Sequence, residues 1–126
     1  MTTVLVASAS VHTTAAACDY LSARLDADDA VVVLGVLEPD IEERDLDDAG
    51  NVARTRLIEP TVDIETRADD PVESILTVAD DVDADSILIG AVRGDPAAAG
   101  DPPGSTVQAL LASARRPVTV VPVSAP

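Results

Sequence analysis

Gly90, Gly94 and Gly104-Ser105-Thr106, with Arg93 beside Gly94, are the chain's densest group of residues suited to holding an anion. Glycine lets backbone N–H groups come close to a ligand because no Cβ intervenes. Gly104-Ser105-Thr106 precedes an apolar-periodic stretch and so opens a helix. The first N–H groups of a helix lack intrahelical acceptors and carry the positive end of its dipole, which draws negative charge. Ser105 and Thr106 add hydroxyl donors, and Arg93 a permanent charge able to grip a phosphate. The same residues also suit a plain loop closed by a capped helix, since Ser105 and Gln108 have capping-box spacing.

A second group follows the first apolar run: Ser8 and Ser10 as nucleophiles, with His12 as the one imidazole that could serve as their base. No Gly-x-Ser-x-Gly elbow accompanies them, and the dinucleotide fingerprint Gly-x-Gly-x-x-Gly is absent. One cysteine, Cys18, and one histidine cannot assemble a Cys/His zinc site. All eight basic residues are Arg. The absence of Lys removes the P-loop lysine, any Schiff base, and a polybasic patch for nucleic acid or anionic lipid.

The elements that must position these residues can be read from apolar runs. Thr3 to Ala7, Ala30 to Leu37 and Ser86 to Gly90 are short continuous runs suited to strands buried on both faces. Thr61 to Ala68 alternates apolar and polar residues, as a strand nearer an edge does. Val118 to Val123 is a fifth strand, and Pro122, which cannot donate to a ladder, places it at an edge. Between them lie helix patterns. Thr13 or Thr14 can cap one in which Ala17, Cys18, Leu21 and Leu25 share a face. Leu46, Ala49, Ala53 and Leu57 form a thinner stripe through the acidic stretch 38–60. Asp70-Pro71 opens the clearest helix, with Glu73 in capping position and Val72, Ile75, Leu76, Ala79 and Val82 as its stripe. The last helix carries Val107, Leu110, Leu111 and Ala114, with Arg115 and Arg116 at its carboxyl end. Alternating strands and helices with buried, non-alternating strands predict an α/β domain: an open parallel five-stranded sheet with helices on both faces. In such sheets ligands bind beyond the carboxyl ends of the strands, where Gly90 to Ser105 must lie.

With 126 residues the chain is read as one domain, 1–126. Its net charge is −15, yet 47% of residues are hydrophobic, which excludes a disordered acidic tail. The carboxylates repel one another in dilute buffer, and the repulsion fades as salt shortens the screening length to roughly 3 Å at 1 M. Absent Lys, absent Phe and Trp, and abundant Asp suggest a haloarchaeal-type protein working at high ionic strength. No apolar run is long enough to span a membrane, and the N-terminus lacks the basic opening of a signal peptide, so a cytoplasmic location is expected.

Gly94, nine residues, then Gly104-Ser105, after a strand ending in Gly90, resembles the nucleotide-binding signature of the universal stress protein family. The order and separation of the other pieces, from Thr3-Val4-Leu5 to Arg116-Pro117-Val118-Thr119-Val120-Val121-Pro122, extend the resemblance over nearly the whole chain. It implies a strand order 3-2-1-4-5, a homodimer formed through the last strand, and ATP or a related adenine nucleotide, with a divalent cation, at Ser8, Gly90, Arg93, Gly94, Gly104, Ser105 and Thr106. Three features depart from the family pattern. Three residues rather than two separate Gly90 from Gly94. Ala7-Ser8-Ala9-Ser10 stands where nucleotide-binding members carry an Asp. Asp95, Asp101 and three prolines occupy the loop.

Three readings follow. The first is a small stress-response regulatory protein that binds an adenine nucleotide at the Gly90–Thr106 rim and signals through its dimer to a downstream protein. The second is a dimeric interaction module whose site is vestigial, as the missing Asp and the acidic loop suggest. The third is an adenylate-type or hydrolase enzyme on a related fold, which would need His12 as base. No catalytic residue and no metal site of the chain's own is assigned.

Overall fold

The computed structural model describes residues 1–8, 10–39, 41–90 and 104–122. Along the chain run β1 (Thr3–Ala7), α1 (Val11–Ser22), β2 (Ala30–Val36), α2 (Glu43–Arg56), β3 (Thr61–Arg67), α3 (Pro71–Asp81), β4 (Ser86–Gly90), α4 (Ser105–Ser113) and β5 (Val118–Val121). All strand pairs are parallel, and the sheet order is β3-β2-β1-β4-β5. The α/β architecture and the strand order are therefore those expected, with β3 and β5 at the edges.

Side chains of the central strands point alternately into two cores. Val4, Val6, Val31 and Val33 pack under α1 and α2 with Ala17, Cys18, Leu21 and Ala53. Leu5, Ala7, Val32 and Leu34 pack on the opposite face with Ile75, Val78 and Ala79 of α3 and Val107 and Leu110 of α4. Burial on both faces is why β1, β2 and β4 are apolar throughout. On β3 only Val62 and Ile64 join a core, while Asp63 and Thr66 are exposed and Arg67 pairs with Glu65 at 3.1 Å. Charges on an edge strand discourage unwanted pairing.

Gly35 on β2 makes room for α2. A Cβ there would stand 2.7 Å from Leu46 Cδ2, and Leu46 is itself buried. The helix expected in the acidic stretch is thus seated by a glycine of the neighbouring strand.

Helix starts and stops correct several expectations. Ser10, not Thr13 or Thr14, caps α1: its hydroxyl accepts the Thr13 N–H at 3.1 Å, and both threonines are buried within the helix. Asp70 caps α3 as expected, accepting the Glu73 N–H at 3.1 Å. On α4, Leu111 is 53% exposed, so the buried stripe reduces to Val107 and Leu110, with Ala114 packed at the helix end. Nor does Arg116 serve the end of its own helix. Its Nε donates to the Ala84 carbonyl at 2.6 Å and Nη1 reaches Asp80 at 2.6 Å. Sheet order explains this, because the exit of α3 into β4 lies beside the entry to β5.

α3 ends in a left-handed turn. Asp83 has φ 51°, the Ala84 N–H donates to the Ala79 carbonyl, and the Asp83 N–H to that of Asp80. This is a Schellman ending, in which glycine is the unstrained residue. The Asp83–Arg116 pair is 3.8 Å apart with the Asp83 side chain fully exposed, so it offsets little. Asp83→Gly is therefore expected to raise stability by about 1 kcal/mol, read as a higher Tm and an unchanged m-value in urea.

Acidic residues tie down the start of the sheet. Asp29 accepts the Thr2 N–H at 2.7 Å and the Asp26 N–H at 2.9 Å, and Asp85 accepts the Thr3 N–H at 2.7 Å. Hydrogen bonds from the Asp26 and Thr2 amides hold the Asp29 carboxyl below its ordinary value of 3.8. A depressed pKa gives stability that is complete above the unfolded value and lost as pH falls through the folded one. Acid titrations of Asp29→Asn should accordingly show a shallower loss of stability below about pH 4 than the parent, with the two curves differing by a constant near neutrality.

Candidate functional site

β1 and β4 are neighbours, but the helices that come next after them, α1 and α4, cover opposite faces of the sheet. That reversal opens a crevice at their carboxyl ends. Ala7 stands opposite Ile89 across the pair, so Ser8 and Gly90 are the next residues on the rim. The structure thus brings Ser8, Gly90, Gly104, Ser105 and Thr106 to one edge of the sheet. Arg93 and Gly94 lie outside the described residues, as do Asp95 and Asp101.

The start of α4 differs chemically from the expectation. Gly104, not Ser105, is the N-cap, with φ −68°, and having no side chain it makes no side-chain cap bond of its own. Ser105 is the first helical residue and is exposed; Thr106 is half-buried. The other helices fill their starts from within: Ser10 in α1, Asp70 in α3, and in α2 the Asp45 carboxylate, which accepts the Glu42 N–H at 3.1 Å. Among the described residues, a Cβ placed on Gly104 would meet nothing within 4 Å beyond its chain neighbours. The first amides of a helix lack intrahelical acceptors and suit an anionic group.

Ser8 is committed to the chain itself. Its hydroxyl accepts the Ser10 N–H at 3.3 Å, lies 2.8 Å from the Thr14 hydroxyl, and donates to the Ser10 carbonyl at 3.0 Å. Thr14 also reaches that carbonyl at 2.9 Å, and the Ser8 N–H continues the ladder to the Leu34 carbonyl at 3.0 Å. These bonds shape the β1–α1 turn. The Thr-rich helix start, read from sequence only as capping material, supplies the buried Thr14 that completes them.

His12 is exposed in the first turn of α1 and is not among the partners of the Ser8 hydroxyl. A nucleophile is activated by a base within hydrogen-bond reach, and Ser8 is held by Ser10 and Thr14 instead. Cys18 is buried, and desolvation pushes its thiol up to about 11, partly offset by Arg56. It is a core residue, as expected. Tyr20 packs at the edge of the α1–α2 core with the Arg24 guanidinium 3.8 Å over its ring. A shallow depression of about 210 Å³ lined by Asn51, Val52, Thr55 and Arg56 lies in the second half of α2, toward the opposite end of the sheet. Among the described residues no group of three His, Cys, Asp or Glu side chains could hold a metal ion. No helix among them is long and apolar enough to cross a membrane.

The model of the universal stress protein family matches residues 21–122. This chain belongs to the universal stress protein family. No curated protein matches it. Similar solved structures include a universal stress protein in complex with cAMP, 19% identical, with a TM-score of 0.72 and 98% of each chain covered. Another is the universal stress protein from Archaeoglobus fulgidus in complex with dAMP, 21% identical, with a TM-score of 0.63 over 96% of this chain and 98% of that one. A third is a universal stress protein family protein from Arabidopsis thaliana with AMP bound, 17% identical, with a TM-score of 0.64 over 96% of this chain and 91% of that one. At these identities the likeness is one of fold.

Proposed function

We propose that this universal stress protein is a small regulatory protein that binds an adenine nucleotide at the carboxyl rim, with its phosphate at the head of α4. The observation that carries the reading is the α4 start itself: a glycine N-cap with no side chain to spend on the helix and, among the described residues, nothing within 4 Å of where a Cβ would stand. Backbone donors left without an intrahelical acceptor favour a phosphate over solvent. The relatives solved with cAMP, dAMP and AMP support the choice of an adenine nucleotide. Gly90, Ser105 and Thr106, with Arg93 and Gly94 of the glycine signature, belong to the reading. Ser8 acts through the shape of its turn. ATP brings a divalent cation on its own phosphates.

Titration calorimetry with ATP, AMP and cAMP, with and without magnesium, tests the proposal in molar KCl, where the repulsion of a −15 chain is screened. Saturable heat and a rise in Tm are expected. Neither heat nor a Tm shift at millimolar nucleotide would overturn it.

The protein is proposed to act in the cytoplasm as a homodimer through β5, whose residues Val118, Thr119 and Val120 are only half-buried at the sheet edge. An unpaired apolar edge invites a second copy. Light scattering should give twice the chain mass at micromolar concentration; a monomer would refute the assembly.

A second reading, a dimeric module with a vestigial site, draws on the β1–α1 turn. Ser8 and Ser10 spend their hydroxyls inside it. Recovery of the same protein partner with and without nucleotide would favour that reading.

A further inference from the structure

We infer that the outer flank of α4, centred on Leu111, is part of the contact between two copies of this chain, an inference that rests on the proposed β5 homodimer and extends it from a strand edge to a helix face. Of the helices α1 to α4, α4 (Ser105–Ser113) is the one without a charged residue. Every Asp and Glu of the chain lies in residues 1–101, and the only charged side chains of residues 102–126 are Arg115 and Arg116. Two copies of a −15 chain repel wherever their carboxylates approach each other. The α4–β5 unit is the surface on which they can meet with least repulsion. Leu111 is 53% exposed on it, and Arg115 is exposed with no ion pair among the described residues.

The fold turns Leu111 toward the β5 edge. Val107, Leu110 and Ala114 of α4 pack against the sheet. At about 3.6 residues per turn, Leu111 and Arg115 fall to one side of that stripe, and Thr106 and Ser113 to the other. Right-handed crossovers set α4 on the β5 side of α3 and, along a helix antiparallel to the strands, turn the Leu111 side away from α3. The exposure of Leu111 agrees. Val118 and Val120 of β5 project to the same face of the sheet and are only half-buried, so they and Leu111 line one apolar margin.

The size of β5 calls for such a margin. Its four residues offer about 13 Å of edge at roughly 3.3 Å per residue. A stable interface buries about 800 Å² on each partner, more than so short a ladder supplies. Antiparallel pairing of β5 with its copy about a two-fold axis brings both α4 helices to one face of the joined sheet, Leu111 side toward Leu111 side.

The test follows dimer dissociation by light scattering over a concentration series in molar KCl, with thermal melts at concentrations where the chain is monomeric. Leu111→Ala should weaken the dimer about tenfold, as truncating a contact side chain does, and leave the monomer melt unchanged. Leu111→Asp should weaken it about a hundredfold, because it sets two like charges facing across the axis. Ile58→Asp is the control for added charge: Ile58 is 86% exposed in the connection leading to β3, at the opposite edge of the sheet, and its dimer should match that of the parent. If Leu111→Asp fails to fold, Leu111→Ala decides. Leu111 variants that dimerise as tightly as the parent would overturn the inference and leave the β5 homodimer standing. Equal weakening by Ile58→Asp would also overturn it, by showing that net charge alone is responsible. A monomeric parent would end the homodimer reading and this inference with it.

Discussion

Leu5→Ala is expected to lower folding stability by about 3–5 kcal/mol, enough to leave a domain of ordinary stability only marginally folded. Leu5 is 0% exposed on β1, which is flanked by β2 and β4. It sits in the α3–α4 core among Val32, Ile87 and Ile75. That core contains neither Phe nor Trp. Closing the cavity would need shifts in two strands held by ladder bonds on both sides, so the void persists and its lining loses contacts. Leu111→Ala makes the contrast: the side chain is 53% exposed, and the change should fall within about 0.5 kcal/mol. Urea unfolding in molar KCl reads both. Equal losses would mean that α4 is rotated from the face described.

Gly104→Ala should weaken adenine nucleotide binding by about tenfold or more, since each tenfold corresponds to about 1.4 kcal/mol of lost contact. It should cost less than about 1 kcal/mol of stability, the difference between glycine and alanine at an N-cap. The backbone there has an ordinary φ, and among the described residues the new Cβ meets nothing within 4 Å beyond its chain neighbours. Those residues leave room for the methyl group, which a ligand seated against the amides would meet. Calorimetry on the variant beside a thermal melt separates the two effects. An affinity equal to that of the parent would show that the phosphate does not approach the head of α4.

Two glycines illustrate how far local pattern carries. Gly104 was legible as part of a helix start because glycine next to hydroxyl residues before an apolar period is a local signal. That it forms the cap itself, leaving Ser105 inside the helix, depends on the path by which the chain arrives. Gly35 gave no signal at all. It lies within the run Ala30 to Leu37, and its purpose appears only when Leu46, from the next helix, is packed against it. The carboxylates divide in the same way. Asp70 announces itself as a cap through the proline that follows, whereas Asp29 and Asp85 look like two more members of an acidic surface. Their amide partners, Thr2 and Thr3, are 27 and 82 residues away in the chain.

From the order of its residues alone, this protein determined the alternation of strands and helices, the two edge strands and the family. All of these follow from periodicity, proline and glycine chemistry, and spacing, which act between residues close in the chain. Tertiary structure decided which hydroxyls remain available and which are spent. It tied Ser8 to Ser10 and Thr14, turned Arg116 from its own helix to α3, and made Gly104 rather than Ser105 the cap of α4. Those outcomes depend on which groups meet across the fold, since a polar side chain makes a limited number of bonds and a neighbour brought in from elsewhere can claim them first.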